Sequence, residues 1–401
     1  MLKSTLTEFK TKLLLIVCGF IVFSPLSSII TMQYLHLPLA LPEILFIPFI
    51  YLLKNRLDLR VKLTKPAIFL FCLFLLLLGI SFMLQNFRAS SILSTSRGYL
   101  YMLLSFAVFS GKNKTSMQDI TLICIGSVLG WCLLSIEQFT QLIKLVVDED
   151  SSLAVSGNMV ALVLLVSIAI IYKNNKTIIL SVFLGLVLSV TTGLRRQIVV
   201  FFLSIVISYF FVLTSKKTNR KKAFFILFVF VVSLILIYPI VDNYINDISP
   251  LLHQRIFSKS VQFLSGDLSE ADKIRRDFIN QFINNLDHYI LPQGFVSKRT
   301  IEDVGTGVYM DFPVLELAYT LGLIILPVFI FFYFRNILKN CKNYYRNHKK
   351  ESAVWGTTAM VLFALLFLEG SNLNYSYITP FTGMVLGKIS FGEIGKSVMT
   401  N

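Results

Sequence analysis

The stretch PAIFLFCLFLLLLGISFML, residues 66 to 84, decides the fold class of this chain. It contains no charged residue, and its length is close to the ~20 residues with which an α-helix crosses about 30 Å of hydrocarbon. Similar runs recur along the chain of 401 residues, 55% of which are hydrophobic, and the mean hydropathy is +0.73. The sequence therefore predicts a polytopic integral membrane protein. Its spans are expected to be helices, because lipid offers no partner for an open backbone amide.

Twelve apolar runs are long enough to serve as spans. In chain order they cover residues 13–30, 36–53, 66–84, 92–110, 120–139, 157–172, 177–193, 197–214, 223–240, 312–334, 354–369 and 376–390. The prediction is an all-α transmembrane bundle in three parts. Residues 1–240 carry spans 1 to 9, residues 241–311 form one large helical loop, and residues 312–401 carry spans 10 to 12.

Lysine and arginine are distributed unevenly between the two sets of loops that alternate crossings create. One set holds 25 of these cations together with both termini, and the other holds 11, of which 7 lie in segment 241–311. Cytoplasmic loops of membrane proteins carry an excess of cations. Both termini are therefore predicted to be cytoplasmic, and segment 241–311 is predicted to face outside. The net charge of +15 is then explained by topology and by contact with anionic lipid headgroups, so no nucleic-acid partner is expected.

Functions that need a soluble nucleotide domain or a metal are disfavoured. The longest predicted cytoplasmic loop, 335–353, has 19 residues, and the chain contains no GxxxxGK[ST], HExxH or CxxC motif. Its four histidines are never paired at metal-ligand spacing. We therefore expect no metal and no cofactor. Two GxxxG pairs, Gly126 with Gly130 and Gly383 with Gly387, predict close helix packing instead.

Arg195 and Arg196 lie in the short gap between the seventh and eighth predicted spans, on the face where cations are otherwise sparse. A charge at membrane depth costs on the order of 2.5 kcal/mol or more, so arginines held between two spans usually face water or an anion. The guanidinium fork binds phosphate through two hydrogen bonds and keeps its proton. The pair is therefore predicted to bind an anion. Arg97, inside the fourth span, is compatible with snorkelling as well as with function.

Segment 241–311 is too long for a simple connection. A short helix is predicted at Leu251–Leu264, and a second, amphipathic helix begins near Ser269 and ends before Pro292 and Gly294. Its apolar face repeats once per turn at Ile274, Phe278, Phe282, Leu286 and Ile290. The segment also carries cations, for which a solvated helix face is the plain alternative to substrate binding. Three acids lie near the outer ends of spans, at the level of the arginines: Glu137, Glu316 and Glu369.

Three motifs resemble the O-antigen ligase and polymerase family of bacterial envelope enzymes. Thr191 to Arg195, TTGLR, resembles the family's T-G-S-R element, and LPQGF at 291–295 stands where the family has a P-x-x-G-x-G-like turn. DFPVLELAYTLG, from Asp311 to Gly322, resembles the H-N-x-x-L entry to the next span, which ends at glycine. The order and spacing of the motifs carry the resemblance. Asp311 stands where ligases have histidine, which favours the polysaccharide polymerase (Wzy-type) branch.

The resemblance implies a GT-C-like bundle and a metal-independent glycosyltransferase. Such an enzyme joins oligosaccharide repeat units carried on undecaprenyl diphosphate, at the outer face of the bacterial cytoplasmic membrane, for capsule, O-antigen or exopolysaccharide. Donor and acceptor would both be lipid-linked glycans, with a flippase and a chain-length regulator as candidate protein partners. Segment 241–311 would be the catalytic loop. The implied diphosphate-binding residues are Arg195, Arg196, Arg255, Arg275 and Arg276, of which Arg195 is also catalytic, and the candidate general bases are Asp311 and His253.

Other functions stay open at this point. An O-antigen ligase shares the same motifs. A lipid-linked oligosaccharide flippase or another secondary transporter also has many spans and buried charge, although transporters usually contain internal repeats with broken helices, and no repeat is visible here. A structural membrane protein would not need arginines against the charge rule.

Overall fold

The computed structural model describes most of the predicted spans. The described residues are 2–26, 44–45, 64–84, 89–110, 116–144, 157–192, 195–214, 282–295, 313–367 and 378–390, with single residues at 221, 225, 228, 243, 247 and 280. Within these ranges the chain is all-helical and contains no strand.

Ten α-helices account for nearly all of the described residues. They are α1 Leu2–Val22, α2 Lys65–Leu84, α3 Ala89–Phe109, α4 Met117–Lys144, α5 Met159–Tyr172, α6 Asn175–Thr192, α7 Arg195–Thr214, α8 Pro313–Asn347, α9 Lys350–Leu365 and α10 Thr379–Ser390. Each overlaps one predicted span. The other two predicted spans, 36–53 and 223–240, lie outside the described residues except for isolated positions.

Several of these helices suit a membrane by length and composition. Four described segments are long and apolar enough to cross one: Lys65–Leu84, Met117–Ile136, Gln197–Thr214 and Pro313–Asn347. Helix α5 is shorter, but every residue from Met159 to Ile171 is buried. It packs against α4, α6, α7 and α9, so it is the central helix of the bundle. Two helices differ in extent from the predicted spans: α1 ends at Val22, within the span 13–30, and α8 continues to Asn347, past residue 334.

The ends of the helices meet in two groups, as alternate crossings require. In the first group, Asn158 at the start of α5 donates its Nδ2 hydrogen to the carbonyl oxygen of Phe23, just after α1, at 3.2 Å. The backbone N–H of Val314, at the start of α8, donates to the carbonyl oxygen of Leu366, just after α9, at 2.9 Å. The sequence assigns all of these helix ends to the outer face.

The second group lies at the opposite end of the helices. Tyr344, near the end of α8, donates its hydroxyl to the carbonyl oxygen of Phe211, near the end of α7, at 2.8 Å. The ammonium group of Lys350, at the start of α9, lies 5.3 Å from the ring centre of Tyr172, at the end of α5. Exposed cations cluster at this end: Lys173, Lys176, Lys342, Arg346 and Lys349. That this end faces the cytoplasm stays a prediction.

Both GxxxG pairs form the close contacts that the sequence predicts. A Cβ on Gly126 of α4 would overlap the carbonyl oxygen of Ile16 in α1, and a Cβ on Gly383 of α10 would overlap that of Met102 in α3. Glycine thus lets the two backbones of each pair touch, which is how helices associate where lipid removes the hydrophobic drive.

Candidate functional site

Arg195 and Arg196 are the first two residues of α7. Their backbone is described and their side chains are not. The helix packs closely on α6, because Gly185 leaves room for the buried ring of Phe201 against its backbone. Because α7 begins at Arg195, both cationic residues lie at a helix N-terminus. The partial positive charge of the backbone amides there disfavours cations. An anion bound there would relieve that repulsion and accept hydrogen bonds from the amides.

The other predicted site residues lie outside the described residues. These are His253, Arg255, Arg275, Arg276 and Asp311. The predicted helix at Leu251–Leu264 and the acids Glu137 and Glu369 also lack described side chains. Their roles stay predictions.

The last described part of the long loop, residues 282–295, packs on α2, α3 and the first turns of α8. We refer to it as the docked segment. The rings of Phe282 and Tyr289 stack with their centres 4.5 Å apart, and Tyr289 contacts Tyr319 of α8 at 5.7 Å between ring centres. Both Phe282 and Tyr289 are buried. Since each buried aromatic side chain contributes about 1.5–3 kcal/mol, the docked segment is attached to the bundle by its own core.

The predicted amphipathic helix is wrong in one respect at its C-terminal end. The α-helix does not continue to Ile290. A 3-10 helix at Leu286–Tyr289 replaces it. The tighter turn brings Tyr289 onto α8, while Leu286 and Ile290 are 39% and 46% exposed. These two side chains are left to face lipid or water. The other two residues of the predicted apolar face, Ile274 and Phe278, lie outside the described residues.

Gly294 brings the backbone of the docked segment onto α2. Its φ is +81°, which glycine adopts without strain, and a Cβ would overlap Ser81 and the carbonyl of Leu77. Ser81 Oγ donates to the carbonyl oxygen of Leu77 at 2.7 Å and accepts the backbone N–H of Phe295 at 2.6 Å. A hydroxyl in an apolar span thus supplies the partner that the incoming backbone needs.

Gly322 breaks α8 into two helical pieces. Its φ of 73° and ψ of 155° lie in a region that is essentially restricted to glycine. The docked segment uses the backbone groups that the break leaves open. The N–H of Gln293 donates to the carbonyl oxygen of Tyr319 at 3.1 Å, and the N–H of Ile324 donates to that of Ile290 at 3.4 Å. The break and the docked segment therefore satisfy each other's backbone, as a non-helical stretch at membrane depth requires.

Tyr99 and Glu316 form a polar contact beside the docked segment. Tyr99 Oη donates to Glu316 Oε1 at 2.8 Å, and the ring of Tyr99 lies 5.1 Å from that of Phe295 between centres. Glu316 is 4% exposed and lies in the first turn of α8, where the helix dipole favours an acid. A buried carboxylate is costly unless it is hydrogen-bonded, and Tyr99 supplies one such bond.

The chemistry available at this junction is that of a hydroxyl, a carboxylate and aromatic faces. Such groups can bind sugar hydroxyls and can accept a proton. Within the described ranges, no group of three His, Cys, Asp or Glu side chains is close enough to hold a metal ion. Arg97, two residues before Tyr99, is half-buried with its Nε shielded from solvent.

Sequence reasoning named Gly294, Glu316 and Gly322 but missed Ser81 and Tyr99. Ser81 is the lone hydroxyl of an apolar span and Tyr99 follows Arg97 closely, so a signal was present. It was weak, because a serine in a span is usually satisfied by a carbonyl of its own helix.

No protein-family model, no curated protein and no solved structure matches this chain. The resemblance to the O-antigen ligase and polymerase family therefore depends on the motifs, and the function must be argued from the site.

Proposed function

We propose that this chain is a membrane polysaccharide polymerase. It joins oligosaccharide repeat units that are linked to undecaprenyl diphosphate, at the outer face of the bacterial cytoplasmic membrane. The reaction transfers the growing glycan from its lipid diphosphate to a hydroxyl group of the next lipid-linked unit, without nucleotide sugar, metal or cofactor.

One observation carries the proposal. The LPQGF motif at 291–295 packs directly against Gly322, the last residue of the motif that starts at Asp311. A Cβ on Gly322 would lie 2.7 Å from the Pro292 nitrogen. Two of the three motifs that carry the resemblance are therefore in direct contact. This contact anchors residues 291–295 of the long loop on α8.

Arg195 supplies the electrostatic part of the proposal. Breaking a glycosyl–phosphate bond leaves negative charge on a diphosphate, and preorganised donors lower the barrier for such a step. An arginine at the start of α7, beside the amides of a helix N-terminus, is suited to this charge. In the proposed mechanism Arg195 holds the leaving diphosphate, and Arg196 or the loop arginines Arg255, Arg275 and Arg276 assist.

A transporter is the second candidate, and the break at Gly322 is the observation that favours it. Broken helices near the membrane midplane form the binding sites of many transporters, and Gly322 lies nine residues after Pro313, about 14 Å along the helix axis. In transporters the open backbone faces a ligand cavity. Here the backbone groups of Gln293 and Ile290 occupy the hydrogen-bonding positions that a transported ligand would use. This arrangement suits an anchored loop better than a transport path.

The test uses purified protein with repeat units on undecaprenyl diphosphate, in EDTA and without nucleotide sugar or ATP. We expect products longer by whole repeat units and release of undecaprenyl diphosphate, both measured by mass spectrometry. Free oligosaccharide without the lipid diphosphate serves as the control donor and should not be incorporated. A strict requirement for a nucleotide sugar contradicts the proposal. Movement of the lipid-linked unit across a liposome membrane without lengthening points to the transporter.

A further inference from the structure

The contact between Tyr99 and Glu316 joins the hydroxyl of a half-buried tyrosine to a buried acid. Tyr99 Oη donates to Glu316 Oε1 at 2.8 Å. Tyr99 is half-buried, whereas Glu316 is 4% exposed. Of the two side chains, Tyr99 is therefore the one that an approaching molecule can contact.

The position of this pair links it to the docked segment. The ring of Tyr99 packs on Phe295, whose backbone N–H donates to Ser81. Glu316 lies within two turns of the break at Gly322. The pair is thus fixed by the same contacts that fix the docked segment, and an ionisable residue within a predicted span is a functional candidate.

We propose that Tyr99 and Glu316 form a proton relay for the acceptor sugar hydroxyl. Tyr99 is the catalytic residue that touches this hydroxyl, and Glu316 acts through it as the final proton acceptor. The inference rests on the proposed polymerase function and adds to it a base that the sequence motifs do not assign, in place of Asp311 or His253.

Glycosyl transfer and proton transfer occur in one concerted step. The acceptor oxygen forms a bond to the anomeric carbon of the donor glycan while the bond from that carbon to the diphosphate oxygen breaks, and the diphosphate leaves with the electron pair. The acceptor proton moves to Tyr99 Oη as the tyrosine proton moves to the Glu316 carboxylate. Water then removes the proton from Glu316 through Tyr99, which restores both groups.

The substitution Glu316→Gln separates proton transfer from structure. Glutamine keeps an oxygen that accepts the Tyr99 hydrogen bond, but it cannot take up a proton. We expect kcat to fall by about 10²–10⁴-fold, with little change in KM for a lipid-linked acceptor of short prenyl chain. Glu316→Asp keeps the carboxylate and should recover a measurable part of kcat. A purely structural contact predicts the reverse order, with the glutamine variant near wild type.

The substitution Tyr99→Phe removes only the hydroxyl and keeps the ring on Phe295. We expect the same loss of kcat as for Glu316→Gln, and no further loss in the double variant, because both residues act in one relay. Tyr333→Phe is the matched control, since Tyr333 donates to the carbonyl oxygen of Ala359 at 2.6 Å far along α8. It should lower the melting temperature without changing kcat.

The outcomes distinguish failure of the proposed function from failure of the relay. Wild-type protein that does not lengthen lipid-linked units overturns the proposed function together with the relay. Wild-type protein that lengthens them, with Glu316→Gln and Tyr99→Phe equally active, overturns the relay alone. Loss of kcat in Tyr333→Phe equal to that in Tyr99→Phe also overturns it, because the effect then reflects stability.

Discussion

Pro292 and Gly322 pack backbone against backbone, 30 residues apart in the chain. A Cβ on Gly322 would lie 2.7 Å from the nitrogen of Pro292 and 2.8 Å from the carbonyl oxygen of Ile290. Proline has no backbone N–H to satisfy, so it can lie against the break without leaving an open donor. The neighbouring Gln293 N–H donates to Tyr319. The docked segment and the interrupted helix are therefore complementary in shape and in backbone hydrogen bonding.

Gly322→Ala should detach the docked segment. Alanine at φ 73° and ψ 155° is strained by on the order of 1–3 kcal/mol, and its Cβ overlaps backbone atoms that cannot turn aside. We expect a lower unfolding midpoint in detergent and faster proteolysis near residues 282–295. Gly79→Ala is the control, because nothing lies within 4 Å of its Cβ position. Equal stability of the two variants contradicts the packing described here.

The helices of the bundle could be predicted from the sequence with good accuracy. Apolar runs such as residues 66–84 have no alternative to a helix in lipid, and α2 spans Lys65–Leu84. The GxxxG contact at Gly383 was also predictable, because small residues on one helix face have few other uses there. The broken helix was not, since Gly322 looks like any glycine in a span until the loop that packs on it is known.

The candidate site could be predicted only in part. Glu316 stands out as an acid near a span end, yet its partner Tyr99 lies 217 positions away in the chain. No sequence period links residues on different helices. The turn from α-helix to 3-10 helix at Leu286–Tyr289 depends on contacts of Tyr289 with α8, which a local pattern does not contain.

Gly383→Ala should weaken the contact between α3 and α10. The added methyl group meets the carbonyl of Met102, which is backbone and cannot rotate away. We expect a lower unfolding midpoint in detergent and loss of lipid-linked polymer. Gly356→Ala is the matched control, because its nearest atom is 3.7 Å from the Cβ position. If both variants melt together with wild type, the close approach of α3 and α10 is wrong.

The predicted topology places residue 287 outside and residue 347 inside the cell. Asp287 and Asn347 are both exposed, so a cysteine at either position is reachable. An impermeant maleimide should label Asp287→Cys in intact cells and Asn347→Cys only after lysis. The native Cys341 is partly buried, so it should react slowly. Equal labelling of both variants in intact cells contradicts the orientation.

Arg195→Ala should nearly abolish polymer formation, because the leaving diphosphate loses its main cationic partner. Removal of one preorganised donor costs on the order of 10²–10³ in rate. Arg195→Lys should recover only part of it, since lysine has the charge but not the planar fork. Arg196→Ala should be milder, because the family that the TTGLR motif resembles has a small residue at that position.

The measurement for Arg195 is the rate of repeat-unit addition at matched amounts of membrane-inserted protein. A second readout separates binding from stability. Undecaprenyl diphosphate should raise the melting temperature of wild type and of Arg196→Ala, because a ligand that binds only the folded state stabilises it. It should leave that of Arg195→Ala nearly unchanged. If Arg195→Ala makes full-length polymer at the wild-type rate, the diphosphate is held elsewhere and α7 does not begin at the catalytic centre.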